Sequence, residues 1–206
     1  MSRKLIAGLA AVTLAAVVGG TLGYIQMKRS QDPFADCRGS GIASAGAIGG
    51  PFTLTDEQGK TYTDKDLATG PKLVYFGYTF CPDVCPLDNT RNAEAVDLLQ
   101  KMGLDVTPVF ISVDPERDTP QVMAEFTDTM HPNMIGLTGT AEQVKAAANV
   151  YKVYYKKQET GDQYYTMDHS TFTYLMLPGV GFVDFFNRDD TAQQMADRTA
   201  CFLGKG

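Results

Sequence analysis

The sequence predicts a mixed α/β domain, a β-sheet covered by helices on both faces, preceded by a membrane-spanning helix. Three observations carry this. An apolar, aromatic run, Leu73–Phe80, has the length and β-rich composition of a buried strand and passes directly into a helical pattern. The remaining elements then alternate, in the order hairpin–β–α–β–α–β–α–β–β–α, which implies a sheet with helices on either side. Finally, Leu5–Ile25 is uncharged and built mostly from Ala, Leu, Val and Gly, matching the ~20 residues that a spanning helix needs.

The N-terminal part divides into a short tail (1–4), the predicted anchor (5–25) and a Gly-, Ser- and Ala-rich tether (26–50) without periodicity. The apolar core of the anchor exceeds the roughly 7–15 residues of a cleaved signal, and small-x-small sites near Gly19–Gly23 are poor. Arg3 and Lys4 before the span nearly balance Lys28 and Arg29 after it, so charge alone does not orient it. A very short tail before it and a long acidic domain after it suit export of the domain. The remainder, 51–206, is roughly 155 residues, enough for one domain with its own core. The 206-residue chain carries a net charge of −6 and no Lys/Arg cluster beyond the anchor flanks. Nucleic acid is therefore not an expected partner.

Pro51–Tyr62 alternates apolar and polar residues around Glu57-Gln58-Gly59, the pattern of a β-hairpin. Thr69-Gly70-Pro71 turns the chain into the central strand. Ala93, Val96, Leu99 and Met102 recur at spacing three within Leu87–Met102, predicting an amphipathic helix closed by Gly103. Val106–Val113 reads as a strand and Thr119-Pro120 opens a helix to about Met130, with Pro120 in the first turn. Met134–Leu137 is a short strand, and Thr140-Ala-Glu-Gln143 a capping box that starts a helix to about Tyr155. Lys156–Asp168 reads as a polar loop. Ser170–Leu177 and Gly181–Phe186 are strands joined at Pro178-Gly179, and Thr191–Leu203 is the last helix.

The chemistry sits in Cys81-Pro-Asp-Val-Cys85-Pro86, where the central strand hands over to a helix N-terminus. Unpaired backbone N–H groups and the helix dipole stabilise thiolate over thiol there. With three residues between the cysteines, positions i and i+4 share a face if the helix starts near Cys81, and both sulfurs then point at one site. That suits a shared metal and still allows a disulfide. A buried structural pair is the bland alternative, which the loop-shaping Pro82 and Pro86 disfavour. The other two of the four cysteines stand alone, Cys37 in the tether and Cys201 in the final helix. They read as a disulfide pinning the tether onto that helix in an oxidising compartment, or as two inert thiols. Of the two histidines, His131 precedes Pro132 at a helix end and reads as a C-terminal cation or exposed cap. His169, in Asp168-His169-Ser170, sits where the polar loop enters a strand. Strand-edge loops of such a sheet gather near a strand–helix corner, but by itself a lone histidine is more often structural than a ligand.

Three blocks in register resemble the Sco/SenC family: Tyr75–Pro86, Val109–Pro120 and Tyr165–Ser170. The resemblance covers roughly Gly50–Phe186 together with the N-terminal anchor arrangement. It implies a thioredoxin-like fold and one copper ion, Cu(I) or Cu(II), held by Cys81, Cys85 and His169. It further implies a role as a copper metallochaperone for the dinuclear copper A site of cytochrome c oxidase subunit II, loaded by an upstream copper donor. The setting implied is the bacterial inner membrane, single-pass, with the domain in the periplasm. Two soft thiolates and an imidazole suit Cu(I). Asp168 is then either a surface aspartate or a group that orients the His169 ring. Asp83 and Asp114 match family positions and are read as loop-shaping or partner-contacting. The turn Leu177–Gly181 departs from the family's acidic-Gly turn, and Cys37 and Cys201 lie outside its motif. Competing readings are a thiol–disulfide oxidoreductase, with Cys81 and Cys85 as its redox pair keeping the oxidase cysteines reduced, and a copper or redox sensor.

Overall fold

The computed structural model describes residues 3–29, 32–38, 48–159 and 164–204. A long helix, α1 (Arg3–Arg29), comes first. The domain follows as β1 (Thr53–Asp56), β2 (Thr61–Thr63), α2 (Asp64–Leu67), β3 (Lys72–Gly77), α3 (Val84–Lys101), β4 (Thr107–Ser112) and α4 (Pro120–Met130). It continues through β5 (Ile135–Thr138), α5 (Ala141–Val150), β6 (Tyr155–Gln158), β7 (Thr166–His169), β8 (Thr173–Leu177), β9 (Gly181–Phe186) and α6 (Ala192–Leu203). Seven strands form one sheet in the order β2-β1-β5-β4-β3-β8-β9, and β6 and β7 form a separate two-stranded sheet.

The predicted central strand is central. β3 is buried along its whole length, pairing in parallel with β4 and antiparallel with β8. A strand buried on both faces needs a continuous apolar run rather than alternation, which Leu73–Phe76 supplies. Its neighbouring residues Leu73 and Val74 feed opposite layers. Val74 and Phe76 join Met123 of α4 and Val144 and Ala147 of α5, while Leu73 joins Ala95, Val96 and Leu99 of α3 and Met195 and Phe202 of α6. Each such buried Val, Leu, Phe or Met side chain contributes about 1.5–3 kcal/mol of burial free energy.

The helix starts read from the sequence are largely realised. Thr140 and Gln143 form a capping box on α5, as do Thr191 and Gln194 on α6. Thr119 caps α4 with Pro120 in its first turn, and Gly103, at φ +77°, follows the C-cap of α3. The exception is the start of α3. It begins at Val84, neither at Cys81 nor at Leu87, and its N-cap, Asp83, makes no side-chain capping bond. Pro86 falls in the first turn, where its missing N–H is not needed. Cys81 and Cys85 therefore do not lie as i and i+4 on one helix face: Cys85 is helical and Cys81 belongs to the preceding loop.

Two further expectations are corrected. Lys156–Asp168 is not simply a polar loop but largely the hairpin β6–β7, with Tyr155 opposite His169. The helix expected to reach Tyr155 stops at Val150, because the chain turns at Lys152, whose φ is +57°.

At the N-terminal end, Cys37 and Cys201 are disulfide-bonded, with Cα atoms 5.6 Å apart. Phe34 packs on Phe202 with ring centroids 5.4 Å apart, and Arg38 donates from Nε to the Val183 carbonyl at 3.2 Å. Residues 32–38, within the segment read as a tether, are thus fixed to the domain, while 39–47 lie outside the described residues. Side chains of α1 are described over 12–27, where Val12, Leu14, Val17, Val18, Leu22 and Ile25 are all exposed. Among the described residues no helix is long and apolar enough to cross a membrane. Since the predicted span Leu5–Ile25 extends beyond those side chains, it is not confirmed.

Candidate metal centre

After Gly77 the chain leaves the sheet through Tyr78-Thr79-Phe80 to Cys81, and buried Asp118 holds this loop in place. Its carboxylate accepts from the Thr79 N–H at 3.1 Å, the Thr79 hydroxyl at 2.6 Å and the Ser112 hydroxyl at 2.6 Å. Cys81 Sγ then occupies the place of the missing cap on α3, accepting from the Cys85 backbone N–H at 3.3 Å. A sulfur so placed faces the unpaired amides of the first helical turn, where negative charge is favoured.

His169 approaches from the hairpin, at the end of β7. Its Nε2 lies 3.3 Å from Cys85 Sγ, although 84 residues separate the two in sequence. Cys81, Cys85 and His169 bring one donor atom each to within 4.8 Å of one another, a grouping able to hold a metal ion. The imidazole tautomer follows from its other nitrogen. Nδ1 is 2.9 Å from the Ser170 carbonyl oxygen; a carbonyl only accepts, so Nδ1 carries the proton and Nε2 presents its lone pair to the cysteines. The ring is held edge-on between Tyr75 and Tyr78, with centroids at 6.1 and 5.8 Å. Asp168, the sequence candidate for orienting that ring, faces the other way. It is exposed and accepts a hydrogen bond from Gln158.

The two free thiols differ electrostatically. Cys81 is held well below the ordinary thiol range by a hydrogen bond from Cys85, and further by the amides of Asp83 and Cys85, against the opposing effect of burial. Cys85 moves up, because it shares its proton with Cys81 and is buried. The Tyr75 hydroxyl donates its one proton to Asp88 Oδ2 at 3.0 Å. Buried Asp88 is flanked in turn by Arg188 Nε at 3.4 Å and Arg91 Nη1 at 3.8 Å.

The sequence reading missed Tyr75, Asp88, the Ser170 carbonyl and Gly77 as parts of the site. Gly77 had a visible signal, a glycine inside a strand run, which marks a close approach. A Cβ there would lie 2.9 Å from Cys85 Sγ. Asp114 shapes its loop, bonding Arg117 Nε at 2.5 Å and the Tyr165 hydroxyl at 2.8 Å. Asp83 is exposed at the start of α3 and lends only its amide to Cys81. His131 is the C-cap of α4, as expected, but buried rather than exposed, with Nε2 3.4 Å from Asp97.

A sequence model of the SCO1/SenC family matches residues 41–204. The chain belongs to the SCO1/SenC family. It is 55% identical over 204 residues to Protein SenC of Rhodobacter capsulatus, covering 98% of this chain and 92% of that one. The crystal structure of Arabidopsis thaliana ScoI with copper bound superposes with a TM-score of 0.73 at 44% identity, over 77% of this chain and 99% of that one. Bradyrhizobium japonicum ScoI, also with copper bound, gives 0.69 at 44%, over 75% and 98%. BsSco, at a TM-score of 0.59 and 25% identity over 75% of this chain and 92% of that one, is a member of the Sco family of cytochrome c oxidase assembly proteins and carries a disulfide switch. The mixed sheet with flanking helices is thus the thioredoxin-like fold of the Sco structures. SCO1/SenC proteins are linked to copper binding and to assembly of cytochrome c oxidase.

Proposed function

We propose that this protein is a copper metallochaperone that delivers copper to the dinuclear copper A site of cytochrome c oxidase subunit II. The observation that carries the reading is the convergence of Cys81, Cys85 and His169 within 4.8 Å. Two sulfurs and a neutral imidazole nitrogen are the soft donors that Cu(I) prefers. Three donors leave copper under-coordinated, so that a ligand of the acceptor can enter before a ligand of this chain departs. The chain itself presents Cys81 as a ready thiolate, orients Nε2 through the Ser170 carbonyl, and surrounds the donors with Tyr75 and Tyr78. Loading displaces the Cys85 proton to solvent. The uncharged stretch Leu5–Ile25 supports an anchor in the bacterial inner membrane with the domain in the periplasm, a setting in which the Cys37–Cys201 disulfide persists. An upstream copper donor and subunit II are the partners this reading requires. The test is anaerobic copper titration followed by transfer to a subunit II fragment: wild type binds one equivalent and passes it on. Failure to bind a stoichiometric copper ion would sink the proposal.

A second reading rests on the asymmetry of the thiols. The Cys81 thiolate is suited to attack a partner disulfide, forming a mixed disulfide that Cys85 resolves. Two electrons then pass to the partner, whose two sulfurs leave as thiols, while Cys81 and Cys85 become a disulfide. Reduction of a disulfide-bonded subunit II fragment faster than by a small thiol, with copper absent, would support it.

A further inference from the structure

His169 is carried by a hairpin that shares no strand pairing with the seven-stranded sheet whose strand β3 leads to the cysteines. Something other than a β-ladder must therefore fix the distance between the imidazole and the two sulfurs. The turn after β4 supplies it. The Arg117 guanidinium lies 3.6 Å from the Tyr165 ring centroid, and its Nη1 donates to the Tyr165 carbonyl at 3.0 Å. Tyr165 immediately precedes β7, four residues before His169. The same guanidinium lies 4.9 Å from the ring of Phe80, the neighbour of Cys81, and 5.6 Å from that of Tyr78. Its Nε is bonded to Asp114 at 2.5 Å, and the Tyr165 hydroxyl donates to the same carboxylate at 2.8 Å. One planar cation thus touches the histidine hairpin, the cysteine loop and the end of β4. The other strand of the hairpin adds to it. Lys157 lies 3.9 Å from the Tyr165 ring centroid and pairs with Glu116 at 2.5 Å.

We propose that Arg117 is the positioning residue that keeps His169 within reach of Cys81 and Cys85, by clamping Tyr165 and Phe80 together. The inference rests on the copper reading of the site. Its chemistry depends on the guanidinium rather than on charge: a planar fork stacks on an aromatic ring while donating to a carbonyl, and a lysine ammonium does not reproduce both. Loss of the clamp leaves all three donors in the chain but weakens the third, so part of the contribution of His169 is lost.

Three variants of the full chain test this: Arg117→Lys, Arg117→Ala and Arg117→Ala in a His169→Ala background. The readouts are copper affinity under anaerobic competition and amide hydrogen exchange over 154–159 and 164–170 without metal. Arg117→Lys, which keeps the charge, is expected to lose affinity roughly 10–100-fold, the range for a residue that orients a ligand, and to exchange the hairpin amides faster. Adding Arg117→Ala to His169→Ala is expected to change affinity no further, since the clamp acts through that imidazole. Wild-type affinity in Arg117→Lys, or full additivity in the double variant, would overturn the proposal. Were wild type itself to bind no copper, the function proposed above would fall instead, and unchanged hairpin protection in Arg117→Ala would separately overturn the clamp.

Discussion

The chain holds two pairs of cysteines, and the fold gives them opposite chemistry. Cys37 and Cys201 are bonded to each other, in a cluster of Phe34, Leu73, Leu99, Leu177 and Phe202. Cys81 and Cys85 are reduced and buried, at 6% and 0% exposure, as is Cys37, whereas Cys201 is half-buried. The more deeply buried pair is the reactive one. The second has the open amides of a helix N-terminus and an imidazole 3.3 Å away. The first has aromatic and aliphatic carbon around it. Thiol reactivity follows the groups that stabilise the thiolate rather than exposure alone.

This contrast can be broken most severely at the reactive pair. Cys85→Ala, or His169→Ala, is expected to lower copper affinity by more than the roughly 10–100-fold that follows loss of a ligand-orienting residue. Global stability should change far less, as read by chemical denaturation of the metal-free protein. The converse substitution, Cys37→Ser with Cys201→Ser, should lower stability by as much as about 5 kcal/mol, the chain-entropy limit for a sequence separation of 164 residues. Copper affinity should stay within about twofold of wild type, because no described residue at the disulfide touches Cys81, Cys85 or His169. A large affinity loss in that variant would show that the two pairs are coupled.

Proton linkage sharpens the difference further. Cys81 is held well below the ordinary thiol range, whereas its bond to Cys81 and burial raise Cys85, the group that keeps its proton longer as pH rises. Copper must displace that proton. Affinity should therefore rise with pH, by about tenfold per unit while Cys85 remains a thiol, and titration in weak buffer should release close to one proton. A flat pH profile near neutrality would contradict this assignment.

Smaller effects follow at the flanks. Gly77→Ala places a methyl group 2.9 Å from Cys85 Sγ and from the Tyr75 and Phe110 rings. A destabilisation of about 1–3 kcal/mol is expected from overpacking, together with weaker copper binding as Cys85 is displaced. Asp168→Asn is expected to leave copper affinity within about twofold, since the aspartate faces Gln158 and the Ser170 carbonyl orients the imidazole.

Much of the frame was legible because its signals are local. Leu73–Phe76 announces a buried strand by composition, Thr140–Gln143 a helix start by a reciprocal hydrogen bond, and Gly103 a helix end by its φ of +77°. The β6–β7 hairpin was not legible. It stands apart from the main sheet, and within its strands only Met167 is buried, so no apolar alternation marks it. The first turn of α3 was obscured because Cys81 sulfur, rather than an Asp, Ser or Thr oxygen three residues ahead of the helical pattern, serves as the cap.

By itself the sequence determined the kinds of donor available: two thiols at a strand–helix corner, one histidine beside a polar stretch, and two solitary cysteines. The tertiary structure alone decided that His169 faces Cys85 across 84 residues, which of its nitrogens is free, that the helix amides face Cys81, and that Arg117 joins the hairpin to the cysteine loop. Periodicity and capping report on neighbours along the chain, whereas a ligand set is defined through space. Distances of about 3 Å between groups so far apart in sequence exist only once the core has closed around them.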